Sequence, residues 1–529
     1  MKIGMIHILC LSVMLFLIAG CGDKDNDNGN AMDSVIADPD FMFNTSISLN
    51  IQLESTLDEA PLGNAYFEIF DAHPHEGGTR LLQARTDDNG WFEYNITIAA
   101  NQTSIILYNE NKDFYEFDIE RIDDLSGSMN GSFASPFNSS IQDAPAWTYN
   151  TFPYYAKIFS DIYNENNTVY SNDLSDMFGC FLGNVCIGVS GGIHPGADML
   201  PDNRVLFTTF MYLPNSAAHT INFRFYDASE EEVYIFDEWY TVQNANIFGN
   251  NQEPQTFNYG NWVSMPDPFV LSQAFPGTGV FGTLAFEDKW TTQDDYDIND
   301  FVLYCNFEMY LTDSDPYTGH FEINYKIAAL GTANTIGFGI QFPDQFILSN
   351  VQSASGTAYL ENGNFTLIIC DDAHDIMPGT GFINTDPNLP FINPELFACI
   401  IDFTSDINQS TQVPWENIPY NPFIFTYGNR IHEIHPADYP PTILANPGLW
   451  GTGDDTSIPA EGRYYRTANN LPWCFMLPIE LPYPREHACI LDAYPYFDDW
   501  VNSPRDYEDW YLDEPGYRNY NYIYTPPEE

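Results

Sequence analysis

Basic side chains are scarce in this chain of 529 residues: 17 Lys and Arg stand against 74 Asp and Glu, for a net charge of −57 at neutral pH. Such a surface repels nucleic acid and anionic lipid headgroups, so no nucleic-acid partner is expected. Long apolar runs are scarce too. Beyond Ile18 none reaches the roughly 20 residues that a membrane-crossing helix needs. The chain has no Cys-x-x-Cys pair of the kind that binds zinc, no phosphate-binding loop and no dinucleotide fingerprint. Helical periodicity is rare. What is present in quantity is apolar and aromatic: 44% hydrophobic and 16% aromatic residues exclude global disorder, and the length suggests three to four domains.

The N-terminus carries an address. Lys2 precedes an apolar run from Ile8 to Ile18 and the small residues Ala19 and Gly20, the pattern of a secretory signal over residues 1–20. The order Ile18-Ala19-Gly20-Cys21 resembles a bacterial lipobox, which implies cleavage before Cys21 and lipid on its sulfur. Ordinary secretion with an incidental cysteine is the plainer alternative. Residues 21–45 are rich in Asp, Asn and Gly and read as a flexible acidic tether. Acids directly after the cysteine resemble the surface-export signal of Bacteroidota lipoproteins, so an outer-membrane lipoprotein displayed at the cell surface is expected, with the periplasmic face as the alternative.

Period-two alternation dominates the rest. Tyr115, Phe117 and Ile119, then Ile221, Phe223 and Phe225, then Phe321, Ile323, Tyr325 and Ile327 alternate with polar neighbours, as half-buried strands do. Frequent Gly, Pro, Asn and Asp clusters between these runs favour sandwiches over βαβ units. The expected class is all-β: tandem β-sandwich modules followed by a larger β-rich domain with a few short helices. The clearest helical spacing is Ile490, Tyr494 and Phe497, interrupted by Pro495. Cys180 and Cys186 flank five residues and could close a small hairpin loop as a disulfide, or remain free thiols.

Three units follow the tether. Residues 46–122, with Pro61-Leu62-Gly63-Asn64-Ala65 and Thr86-Asp87-Asp88-Asn89-Gly90-Trp91-Phe92, resemble the carboxypeptidase-regulatory-like, transthyretin-like sandwich, which implies a spacer or docking role. Residues 144–271 resemble a sandwich module of large Bacteroidota surface proteins through Phe178 to Gly188, Phe223 to Ala228 and Ile247 to Asn250. Residues 280–511 resemble the LruC domain family of bacterial lipoproteins in four ordered blocks. These are Gly282 to Asp288 with Asp295 to Asp300; Gly337 to Ile340; Asn421 to Ile424 with Glu433 to His435; and Leu471 to Trp473 through Tyr494, Trp500 and Trp510-Tyr511. The resemblance implies no biochemical activity. Where that family has Asp-Tyr this chain has Tyr304-Cys305, and Lys289 replaces a leucine; if the family's Asp is a ligand, the site here is one carboxylate short. A Tyr-rich acidic tail, 512–529, reads as flexible or surface-lying.

The chemistry-bearing stretch is Phe286-Glu287-Asp288-Lys289-Trp290 with Asp294-Asp295-Tyr296-Asp297-Ile298-Asn299-Asp300. Crowded oxygen ligands suit a hard cation, and Asp295, Asp297 and Asn299 alternate like the first ligands of an EF-hand loop. The match then fails, because position six is Asp300 and position twelve is Asn306, and both flanks read as strands. A loop between strands, stapled by calcium through Glu287, Asp288, Asp295, Asp297, Asn299 and Asp300, is the expectation; a solvated acidic turn is the alternative. Glu433 and His435 share one face of an extended segment and are candidates for a cleft. Gly188-Val189-Ser190-Gly191-Gly192 fits the G-x-S-x-G pattern but lacks a following helix, so no catalytic residue is assigned. The expected function is non-enzymatic: binding, adhesion or structural organisation in the envelope, with a glycan or protein ligand. The rival is a carboxylate-dependent glycan hydrolase.

Overall fold

The computed structural model describes residues 31–527, apart from 40, 58–59, 110–112, 135–146, 148, 150, 164–170, 172, 183–184, 194–203, 229–231, 237–239, 259–268, 313–316, 380, 406–419 and 504. The signal segment and Cys21 lie outside the described residues. The fold is all-β as expected, with several sheets and two short α-helices among the described residues.

The first strand, Ser46–Leu57, shows why. Ile47, Leu49, Ile51 and Leu53 fall on one face and are buried, while their neighbours stay partly wet. It pairs antiparallel with Trp91–Ala99 and parallel with Ser126–Ala134. A second layer, Tyr66–Phe70, Arg80–Arg85, Ser104–Asn109 and Phe114–Asp118, closes the sandwich. The Asp88-Asn89-Gly90 turn forms because Asp87 accepts the backbone N–H groups of Asn89 and Trp91, each at 2.8 Å, and Gly90 takes φ +80°. The strand at 126–134 carries this unit beyond the expected boundary at residue 122.

The sandwich does not end at its own edge. Arg80–Arg85 pairs with Phe269–Phe275, which pairs with Phe301–Thr312, so an eleven-stranded sheet runs from the first unit into the third. This corrects the boundaries at 271 and 280: strand Phe269–Phe275 belongs to the shared sheet and not to the middle unit. In the third unit Tyr317–Ala329, Phe397–Ser405 and Phe346–Ser353 extend that sheet. A five-stranded sheet, Tyr359–Glu361, Thr366–Cys370, Ile336–Gln341, Asn421–Thr426 and Glu433–Ile434, contributes to the same core.

The middle unit has its own nine-stranded sheet and its own core of Phe178, Phe207, Phe223, Phe225, Phe236 and Phe257. Cys180 and Cys186 are both buried and free, so the hairpin disulfide is not formed. A register shift between Cys180 and Phe181 sets Cys180 opposite Gly188 and Phe181 opposite Cys186, which keeps the two sulfurs out of register.

The tether expectation fails from residue 31 onward. Met32, Val35, Ala37, Phe41 and Phe43 are buried in an aromatic cluster with Phe475, Phe497, Trp500 and Trp510. Arg466 donates to the Phe41 carbonyl at 2.8 Å and Asn470 to the Ala37 carbonyl at 2.7 Å, which satisfies the arm's backbone where it leaves water. The interrupted helix is seen as two pieces, Ile490–Ala493 and Phe497–Asn502, on either side of Pro495. The tail folds back along the surface: Tyr524 N–H donates to Tyr483 O at 3.0 Å, and Ile523 is buried.

Candidate cation-binding loop

Strand Gly282–Phe286 is buried along its whole length and pairs Phe286 with Phe301. The loop 287–300 therefore leaves one strand and re-enters its neighbour, which excludes a helix–loop–helix. Tyr296 and Ile298 adopt left-handed φ values of +62° and +53°, and their side chains are buried in the C-terminal aromatic cluster. A left-handed β-branched residue costs about 1–3 kcal/mol, so packing must hold it there. The alternation leaves Asp295, Asp297 and Asn299 on the intervening positions.

Burial here falls on charged and polar groups. Glu287, Asp288, Asp297 and Asn299 are at most 2% exposed and Asp300 is 8% exposed. Part of each side chain is accounted for. Ile298 N–H donates to Glu287 Oε1 at 2.7 Å, and Asp288 N–H to Asp300 Oδ2 at 2.8 Å. Thr332 and Asn334 donate to Asp288 Oδ2 at 2.6 and 2.8 Å. His487 N–H donates to Asp297 Oδ2 at 2.7 Å, and Asn299 Nδ2 reaches the Pro484 carbonyl at 3.0 Å. The second carboxylate oxygens, Glu287 Oε2 and Asp288 Oδ1, and the amide oxygen Asn299 Oδ1 are buried with no hydrogen-bond partner. Leaving such groups unpaired costs on the order of 1–3 kcal/mol each, and more for a charge.

The electrostatics point the same way. Burial, then repulsion from Asp297, Asp295 and Asp294, pushes the Glu287 carboxyl well above its ordinary range. Asp297 is raised by burial and by Asp295, Asp300 and Glu486, and Asp300 by burial and by Glu287 and Asp288. Lys289 is engaged with Asp294 at the exposed rim. Two overlapping groups of ligand atoms fall within 4.8 Å of one another: Glu287, Asp294 and Asp295, and Asp295, Asp297, Glu486 and His487. The carboxylates gathered here suit a hard divalent cation in chemistry and in number.

Five of the six residues expected from the sequence as ligands are buried in this nest, and Asp295 joins its two ligand groups. Asp288 and Asp300 lie on the Thr332 and Asn334 side, outside both groups. Reading the sequence missed Glu486 and His487, which arrive from some 190 positions away with no spacing to announce them. Burial raises Glu486 to about 6, and Thr385 holds it through a 2.7 Å hydrogen bond. Gly331 also escaped notice: a Cβ there would meet Asn299 Oδ1 at 2.0 Å. Tyr304 and Cys305 take no part, since they lie mid-strand with the Tyr304 hydroxyl on the Leu481 carbonyl at 2.7 Å.

The expected cleft at Glu433 and His435 is a sealed network instead, with both residues 0% exposed. Glu433 Oε2 meets His435 Nε2 at 3.1 Å and accepts from Thr442 N–H at 2.9 Å, while Glu433 Oε1 takes the Thr442 hydroxyl at 2.6 Å and the Arg430 guanidinium. The imidazole lies between Phe423 and Tyr465, at ring distances of 4.7 and 5.4 Å. These partners fix the second sheet's edge and leave no room for substrate. The G-x-S-x-G match lies inside strand Val185–Ile193, so it has no helix to serve a nucleophile.

Two family models match the chain. A domain of unknown function, DUF4842, covers residues 319–511, and a second, DUF8469, covers residues 45–114. The first includes Glu486 and His487 but not the loop at 287–300. No curated protein matches. Among solved structures, a candidate lipoprotein from Bacteroides ovatus is similar at 14% identity and a TM-score of 0.38, over 64% of this chain and 98% of that one. The shaft pilin SpaA from Lactobacillus rhamnosus is similar at 10% identity and a TM-score of 0.13, over 40% of this chain and 97% of that one. No helix among the described residues is long and apolar enough to cross a membrane.

Proposed function

We propose that this is a lipid-anchored outer-membrane protein of the cell surface with a binding or structural role and no catalysis of its own. We propose further that calcium clamps its LruC-type C-terminal unit. The carrying observation is the nest of buried, mutually repelling carboxylates in which Glu287 Oε2 and Asp288 Oδ1 have no partner. A divalent cation would satisfy those oxygens and remove the repulsion, and His487 and Glu486 would tie the C-terminal segment to the loop. The signal and Cys21 support the anchor. A glycan hydrolase would need two carboxylates open to a sugar chain. Glu433, the carboxylate of the expected cleft, is closed off from solvent.

The test is calcium titration of metal-depleted protein. Extracellular calcium modules bind at about 10⁻⁴–10⁻³ M, so calcium at 100 times such a Kd stabilises by about 2.7 kcal/mol and should raise the melting temperature by several degrees. No calcium heat, together with an unchanged melting temperature in chelator, would discard the clamp. Protease shaving of intact cells tests the surface placement: a chain cut only after membrane disruption faces inward.

A further inference from the structure

The sheet of the middle unit has one dry face and one aromatic, open face. Strands Tyr154–Tyr163 and Leu206–Leu213 pair with Tyr155 opposite Tyr212, Lys157 opposite Phe210 and Phe159 opposite Thr208. The alternate residues Ala156, Ile158, Thr209, Met211 and Leu213 fill the core. The other set points outward, with Tyr155 48% and Phe210 41% exposed. Their rings form a connected surface: Tyr155 meets Phe210 at 5.8 Å and Tyr212 at 6.3 Å, and Tyr149 stacks on Tyr212 at 5.5 Å with an interplanar angle of 12°. On the neighbouring strand Ile247, paired with Lys157, is 69% exposed. Contiguous apolar surface of this kind marks a contact site.

Charge selects the occupant. About one residue in seven of the chain is acidic, yet none of Tyr155, Lys157, Phe159, Thr208, Phe210 and Tyr212 is, and Asp161, farther along the same alternation, is buried and neutralised by Arg204 at 2.8 Å. Lys157 sits at the centre, its ammonium 4.1 Å from the Phe159 ring centroid and 5.2 Å from that of Phe210. A polyanion or an anionic bilayer is repelled by the net charge of −57, and so is a second copy of the chain. A cationic partner finds no carboxylate among these six residues to pair with, and Lys157 repels it. What remains is an uncharged polymer with flat C–H faces to lie on rings and hydroxyls to stay wet, which describes a neutral polysaccharide.

We propose that this face is a stacking platform for a neutral polysaccharide chain. The proposal rests on the binding role proposed above and names its ligand class. Tyr155, Phe210 and Tyr212 supply the rings, and the Lys157 ammonium lies over the Phe159 and Phe210 rings between them. The test is affinity electrophoresis of the full chain in mild detergent, through gels holding β-glucan, galactomannan, amylopectin or, as the acidic control, polygalacturonate. At least one neutral polymer should retard the protein. The Tyr155→Ala/Tyr212→Ala double variant, which removes two of the rings, should weaken retention by about tenfold or more. Tyr155→Phe should keep it, because the ring and not the hydroxyl carries the contact. Tyr359→Ala, an exposed tyrosine on another sheet, should leave it unchanged. Should the double variant unfold the middle unit, Tyr155→Ala set against Tyr155→Phe decides alone. No retardation by any neutral polymer, retardation by polygalacturonate only, retention insensitive to Tyr155, or tyrosine-dependent self-association in sedimentation would each overturn the platform. Its failure would leave the calcium clamp standing, and absence of calcium heat would leave the platform standing.

Discussion

At Glu287 the conflict between burial and charge is carried by a single side chain. Its carboxylate is out of water, accepts one backbone hydrogen bond and faces three other acids. Glu287→Gln keeps the shape and the Ile298 N–H partner while removing the charge. In chelator this variant should melt higher than the parent, since a repelled buried charge is gone. Its calcium affinity should fall by about tenfold or more, roughly 1.4 kcal/mol, which calorimetric titration reads directly. Asp176 in the middle unit gives the pH prediction. It is 2% exposed, accepts the Ala228 N–H at 2.9 Å, and burial raises its carboxyl to about 6. A raised folded pKa means that the native state holds the proton more tightly than the unfolded chain does. The contribution is therefore complete below the ordinary value near 4 and is lost as pH rises through about 6. The middle unit should melt lower at pH 8 than at pH 5, and Asp176→Asn should shrink that difference. The acids at 287–300 were legible because they are contiguous. Asp176 was not, because nothing in its neighbours' identity says that it will be buried.

The N-terminal arm belongs to the scale of elements. Composition reads residues 21–45 as solvated chain, and few of them are apolar. Those few are what dock: Phe41 meets Trp500 edge-on at 5.0 Å, and Phe43 meets Phe475 and Trp500 at 5.9 Å each. A sparse set of apolar residues suffices when a preformed aromatic cluster and the buried Arg466 await it. Phe41→Ala should cost about 3 kcal/mol or more and lower the melting temperature of the C-terminal unit. Truncation to residue 46 should also move tryptophan emission to the red as Trp500 meets water. A free tether would change neither reading. At the same scale the helix spacing of Ile490, Tyr494 and Phe497 was legible and its break at Pro495 was realised, because both are local properties of the backbone.

At the scale of the whole molecule, three sequence units reduce to two cooperative bodies among the described residues. The first and third share an eleven-stranded sheet and one hydrophobic core, while the middle unit keeps its own. Scanning calorimetry should show two transitions, the larger for the shared body. Ser272→Pro, in the strand that joins the two parts with Gln83 opposite on one side and Tyr310 on the other, removes the N–H of residue 272 from the ladder. It should cost about 3 kcal/mol or more and lower the larger transition while leaving the smaller in place. Three independent modules would instead give three transitions.

By itself the sequence determined the all-β class, most strand faces, the turn at Asp88-Asn89-Gly90 and the position of the acidic loop. Each of these depends on residues a few positions apart, where alternation, turn chemistry and crowded charge act directly on the backbone. Only the tertiary structure decided that strand Phe269–Phe275 belongs to the shared sheet, that the arm is docked and that Glu433 and His435 are sealed. It alone brought Glu486 and His487 to the loop and set the rings of Tyr155 and Tyr212 side by side. A strand's edge, a carboxylate's neighbours and a ring's exposure depend on which distant segment arrives, and hydrogen bonds and hydrophobic contacts carry no mark of their partner's position in the chain.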